Sequence, residues 1–149
     1  MIERCWAPIG RGSAATLADR CRELEDRGYG GVIGNQVYGP PWAPLAVAAT
    51  ATTRLGLESG IAMSFVRSPF ETACAALELD QISGGRFTLG LGTAPQTWSE
   101  DYFDAGFDHP IARLGEVIDI IRTVNDAAGI PPPERSSVWP LCFQSVQRQ

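Results

Sequence analysis

The sequence predicts an α/β fold built on a parallel sheet, and three observations carry that prediction. Short apolar runs alternate with stretches of helical period. The runs recur at intervals of roughly 25 residues. Several of them end in glycine-bearing loops, as at Gly60 and Gly92. This is the rhythm of right-handed βαβ units around a parallel sheet. The chain has 149 residues, whereas a closed (β/α)8 TIM barrel takes about 250. The expected fold is therefore a partial (β/α)8 barrel of about four βα units.

The elements follow in order. Ser13 can cap a helix running to about Arg27, with Leu17, Cys21 and Leu24 on one face and Gly28 as its stop. Gly31 to Gly34 is a short apolar run, read as a buried strand. A loop from Asn35 to Pro44 carries Trp42, a short helix spans Leu45 to Thr52, and Arg54 to Ile61 is a strand. Ser68-Pro69-Phe70-Glu71 combines a cap, a proline in the first turn and a capping-box glutamate, so a helix starts there. Its expected inward face is Phe70, Ala73, Cys74, Leu77 and Gln81, and Gly84 with Gly85 ends it. Phe87 to Gly92 is a strand. Pro110 opens a last helix with Ile111, Leu114, Ile118 and Ile121 inward. From Gly129 the character changes. The domain reading is thus residues 1–128 followed by an atypical proline-rich tail, 129–149, in which Pro140 argues against a central strand over Val138–Phe143.

Composition excludes several functions. The formal net charge is −5 and the basic residues are scattered singly, so neither nucleic acid nor an anionic membrane is an expected partner. All 12 basic residues are Arg, which removes Schiff-base chemistry and the P-loop lysine. Cys5, Cys21, Cys74 and Cys142 are too far apart for a zinc or dithiol motif, and His109 is the single histidine, so no metal site is expected. Asp101, Asp104 and Asp108 lack calcium-loop spacing and read as a solvated loop. His109 reads as a helix-start residue. No signal peptide is visible, and Trp42 to Ala51 is too short to span a bilayer. A cytoplasmic protein with reduced thiols is expected.

Position sorts the remaining candidates, because parallel barrels place chemistry after the C-terminal ends of the strands. Asn35 and Gln36, Gly60 to Ser64, and Gly92 to Gln96 all follow strands. Arg86 precedes one and falls on the opposite, stabilising end. Trp42 and Trp98 sit in loops above the mouth, able to cover a planar cofactor or to seal the core.

The segments Gly60-Ile61-Ala62-Met63-Ser64-Phe65-Val66-Arg67-Ser68-Pro69 and Ser83-Gly84-Gly85-Arg86-Phe87-Thr88-Leu89-Gly90-Leu91-Gly92-Thr93 resemble the bacterial luciferase-like monooxygenase superfamily, most closely its coenzyme F420-dependent oxidoreductases. The resemblance runs from about Leu17 to Val124. It implies a flavin-type oxidoreductase acting on a small organic substrate, by hydride transfer with F420 or by oxygen activation with FMN as the alternative cofactor. It also implies that Gly60, Ile61 and Ala62 form a bulged backbone behind the ring, often with a non-prolyl cis peptide. A side chain at Gly60 would then intrude on the cofactor. Asn35 and Gln36 are implied near the ring's polar edge, and Gly92 and Thr93 beside it. Arg67 and Arg86 match signature positions and are expected to pair with carboxylates or helix ends. No residue is assigned as catalytic. The departure from the family is size, which suggests a truncated product and, from its open barrel edges, a homo-oligomer or a covering partner. The competing readings are a non-catalytic fragment or pairing module, and a dinucleotide-binding domain, whose glycine fingerprint is absent.

Overall fold

The computed structural model describes residues 5–37 and 39–128. These divide into two compact units, one of residues 1–62 with 76–90 and the other of 63–75 with the residues from 91 onward. The expected tail and the Val138–Phe143 segment lie outside the described residues.

In the first unit, β1 (Trp6–Pro8), β2 (Gly31–Gly34), β3 (Gly56–Ser59) and β5 (Phe87–Thr88) form a parallel sheet in the order β1-β2-β3-β5. Between them run α1 (Ala14–Asp26) and α2 (Trp42–Ala51), while β4 (Ala62–Met63) follows β3. The fold is therefore the expected α/β partial barrel. Side chains alternate across a strand, so the register sorts the sheet into two faces. Ala7, Val32, Leu57 and Phe87 are paired in one row. They pack with Leu17, Cys21 and Leu24 of α1 and Leu45, Ala48 and Ala49 of α2 in one core. The other face carries Trp6, Gly31 and Gly56 in its first row, then Pro8, Ile33, Glu58 and Thr88. The Trp6 ring lies over the two glycines; a Cβ on Gly56 would come within 2.7 Å of it.

Local chemistry explains the boundaries. Ser13 caps α1 as expected, its Oγ accepting from the Thr16 N–H at 3.2 Å. The Arg27 N–H closes the last turn onto Glu23, and Gly28 follows in the left-handed region at φ +78°. At the N-terminal end of β3, the Glu25 carboxylate accepts the backbone N–H groups of Thr53, Arg54 and Leu55. Arg86, just before β5, donates to the carbonyls of Ser83, Leu55, Ala49 and Thr52 and to the Thr52 hydroxyl, at 2.6–3.1 Å. It thus ties the C-terminal end of α2 to the foot of the sheet, the helix-end role expected for it.

The second unit holds β6 (Leu91–Gly92), α4 (Gln96–Phe103) and α5 (Pro110–Ala127). Phe65 lies under the Arg113 guanidinium, 4.5 Å from its ring centroid, and against Phe107 at 5.8 Å. α3 (Pro69–Ser83) is continuous and gives its first half to this unit and its second half to the other.

Several expectations change. The helical face of α3 is rotated by about one residue: Thr72, Ala73, Ala76, Leu79 and Ser83 are buried, whereas Phe70 is 61% exposed and Gln81 is exposed. The buried hydroxyls can occupy that face because Thr72 Oγ1 donates to the Ser68 carbonyl and Ser83 Oγ to that of Asp80. On α5, Leu114, Val117 and Ile121 are buried and Ile111 is 59% exposed. Trp42 is not in a loop. It opens α2 and meets Phe87 edge-on at 6.5 Å, sealing the core. Trp98 lies in α4, a helix placed where a loop was expected, with its ring against Tyr102 at 6.1 Å. His109 stands at the N-cap position of α5 in the left-handed region, without a side-chain capping hydrogen bond, and Pro110 opens the first turn.

Candidate active site

The C-terminal ends of β1, β2 and β3 meet in the first unit. Beyond the paired residues the ladder continues: the Ile9 N–H donates to Ile33 O at 2.9 Å, and the Gly60 N–H to Gly34 O at 3.0 Å. One rung beyond the paired residues, Gly60 stands beside Asn35: a Cβ on Gly60 would lie 3.9 Å from Asn35 Oδ1. With no side chain at Gly60, the surface there is a low shelf with Asn35 standing at it.

Two close approaches explain the glycines. A Cβ on Gly90 would collide with the Ser59 carbonyl oxygen. Ser59 is fully buried and holds that junction twice over, its Oγ donating to the Gly90 carbonyl and accepting from the Gly90 N–H at 2.9 Å each. This clamp interrupts the strand expected over Phe87–Gly92, which splits into β5 and β6. A Cβ on Gly60 would lie 2.5 Å from Ile33 Cγ2 and 3.9 Å from Asn35 Oδ1. A side chain at Gly60 therefore strikes this protein's own Ile33.

Among the residues singled out from the sequence, Asn35 and Gly60 come together on the shelf. The Gly60–Ile61 peptide bond is cis. Ile61 is half-buried, and the buried Ala62 donates its N–H to Gly90 O at 2.8 Å. Asn35 is exposed, whereas its neighbour Gln36 is only 6% exposed. In the second unit, Gly92 O accepts the Ser64 N–H at 2.9 Å. The Thr93 hydroxyl donates to the Ala94 carbonyl, and the Thr93 carbonyl accepts from the buried Ser99 Oγ at 3.3 Å.

A cleft of about 330 Å3 opens beside the shelf. Pro8, Ile9 and Ile33 make its apolar wall, Pro40 and Pro44 its far side, and Asn35 and Arg11 supply polar groups. That is near the lower bound for small-molecule pockets, about 300 Å3, and the mix of apolar walls with few polar groups is their usual chemistry. Sequence reasoning missed Ser59, Ile33 and Glu58, whose roles arise from the register between strands. Among the described residues no cluster of His, Cys, Asp or Glu could hold a metal ion, and no helix is long and apolar enough to cross a membrane.

The chain is similar in sequence and fold to known proteins. Residues 4–134 match the family model for luciferase-like monooxygenases. A Mycobacterium tuberculosis protein, whose name assigns it provisionally to the coenzyme F420-dependent oxidoreductases, is 38% identical over 72% of this chain and 31% of its own length. The chain thus spans about one third of the length of the curated relatives it matches. Among solved structures, the FMN-bound oxygenating constituent of 3,6-diketocamphane monooxygenase from Pseudomonas putida superimposes with a TM-score of 0.71 at 16% identity, covering 83% of this chain and 40% of that one. An F420-dependent secondary alcohol dehydrogenase gives 0.66 at 16% identity, covering 82% and 42%. With the family model matched along residues 4–134, well over half of the chain, the chain belongs to the luciferase-like monooxygenase family.

Proposed function

We propose that this chain forms the part of a flavin-type oxidoreductase that supports the cofactor ring, with F420 as the cofactor and FMN as the alternative. The observation that carries the reading is the low shelf at Gly60, free of a side chain, with the Asn35 amide exposed beside it. A planar ring needs such a floor free of side chains, and its polar edge needs a donor and acceptor within reach, which an asparagine amide supplies. Gly60, Ile61 and Ala62 back the ring, Asn35 meets its edge, and Gln36, being buried, braces the loop behind it. Gly92 and Thr93 take their cofactor role from the family resemblance. When bound, the group supplies hydride transfer or oxygen activation, and the protein supplies position and exclusion of water. The substrate is a small organic molecule, and the apolar wall of Pro8, Ile9 and Ile33 suits one with a hydrophobic body.

The free thiols Cys5, Cys21 and Cys74 support a reducing, cytoplasmic setting. Among the described residues, β1 and β5 of the four-stranded sheet each pair on one side, which supports association with a second copy or another polypeptide along those edges. Light scattering at low micromolar concentration checks this: a monodisperse monomer with a cooperative unfolding transition overturns it.

Fluorescence quenching of F420 and of FMN by the folded chain tests the cofactor reading. Binding is expected, and Asn35→Ala should weaken it by roughly five- to tenfold, the loss of about one hydrogen bond, with an unchanged melting temperature. A folded sample that quenches neither cofactor at high micromolar concentration refutes the proposal.

A further inference from the structure

The cleft beside the shelf is apolar along one wall and basic at one corner. Arg11 lines it together with Pro8, Ile9 and Gly10, at the end of β1 and in the loop that leaves it. A second guanidinium reaches the same loop. Arg20 belongs to the second turn of α1, and helical side chains lean toward the N-terminus of their helix, so its Nη1 comes to 3.4 Å from where a Cβ on Gly10 would sit. Gly10 itself stands in the left-handed region at φ +80°.

No acid of α1 answers this pair. Asp19 is paired with Arg22 at 2.9 Å, Glu23 with Arg27 at 3.3 Å, and Glu25 accepts three backbone N–H groups before β3. Asp26 closes the helix at its far end, and the first turn has no acidic residue. Arg20 accordingly makes no hydrogen bond or ion pair among the described residues. Arg11 has an interaction of its own, but a guanidinium carries five N–H donors and can hold a ligand besides. Among the described residues that line the cleft, Arg11 is the single charged one.

We propose that this cleft is the substrate subsite for an organic acid, whose apolar body lies against Pro8, Ile9 and Ile33 and whose carboxylate pairs with the Arg11 and Arg20 guanidiniums. A carboxylate matches the fork of an arginine, which can donate two parallel N–H bonds to it. The chain's net charge of −5 repels anions in general, so their capture depends on this local pair. The inference rests on the cofactor reading above and names the class of substrate brought beside the ring.

The test uses the full chain with hexanoate and its neutral counterpart hexanamide, and reads dissociation constants from ligand-observed NMR titrations. Wild type should bind hexanoate roughly fivefold tighter than hexanamide, the effect of two exposed charge-assisted contacts. Arg20→Gln should lower that preference about twofold, and Arg11→Gln/Arg20→Gln should bring it close to one, with hexanamide affinity and melting temperature unchanged. No preference in wild type, or the same preference in both variants, overturns the inference. Quenching of FMN and of riboflavin in the same samples separates the other source of an anion. A loss in the double variant confined to FMN would assign the arginines to a cofactor phosphate and overturn the substrate subsite. Wild type that quenches FMN without preferring hexanoate leaves the cofactor reading standing. An arginine-dependent preference in a folded chain that quenches neither FMN nor F420 refutes the cofactor reading and keeps the organic-acid site.

Discussion

Glu25 and Glu58 are carboxylates of the same unit with opposite surroundings. Glu25 sits at the N-terminal end of the sheet. Burial alone would raise its titration, but the N–H groups of Arg54, Leu55 and Thr53, with the Arg54 charge, outweigh it and hold the carboxyl below its ordinary value. Glu58, on the inner face toward the other end, has no compensating donor and is raised. The contrast extends to their surroundings. Around Glu25, Arg86 makes five hydrogen bonds to carbonyls and a hydroxyl. Around Glu58 lie Gly90 and the row of Pro8, Ile33 and Thr88. At the first end the polar side chains are satisfied internally, and at the second the Asn35 amide is exposed. In parallel barrels stability belongs to the first end and ligands to the second, and here the division is visible in the hydrogen bonds of single side chains.

The sharpest way to break that comparison is Arg86→Ala. It strands several carbonyls at the foot of the sheet, and a loss of about 3 kcal/mol or more by urea unfolding is expected, with cofactor affinity per folded molecule unchanged. Selective loss of binding at constant stability would invert the two ends. Gly60→Val comes next. Its Cβ meets Ile33 Cγ2 at 2.5 Å, so overpacking should cost about 1 to 3 kcal/mol. Gly60→Ala combined with Ile33→Ala should recover part of that stability while cofactor affinity stays low. Full recovery of affinity in the double variant would remove Gly60 from the shelf.

Glu25→Ala should cost on the order of 1 to 2 kcal/mol at neutral pH, because three N–H groups lose a charged acceptor. Glu25 is depressed in the folded state, so its contribution is complete above the ordinary carboxylate range and fades as pH falls through the folded titration. The wild-type and variant urea midpoints should therefore converge on acidification; a constant gap would refute the assigned bonds. The smallest effect is on Glu58, whose titration is raised in the folded state. Ionising it opposes folding, so Glu58→Gln should melt slightly higher than wild type at pH above the raised titration, and the gap should close toward acid pH. A gap of opposite sign would mean that the carboxylate has a partner.

The chain's own residues determine much of this. The alternation of Gly31–Gly34, Arg54–Ile61 and Phe87–Gly92 with helical stretches specified a parallel sheet, because period and turn chemistry are local properties. Ser13, Gly28 and Pro110 placed helix ends for the same reason. Asn35 and Gly60 were legible as candidates because each follows a strand. Which face of α3 and α5 turns inward was decided by tertiary packing, since Thr72 and Ser83 can be buried only once their hydroxyls bond back to the helix. The strand break at Gly90 depends on Ser59, 31 residues earlier. The placement of Glu58 in an apolar row under Asn35 and Gly60 depends on the pairing of β2, β3 and β5. Local sequence sets what each segment becomes. The register between strands distant in sequence decides which side chains share a row, and with it which acid lies beneath the shelf.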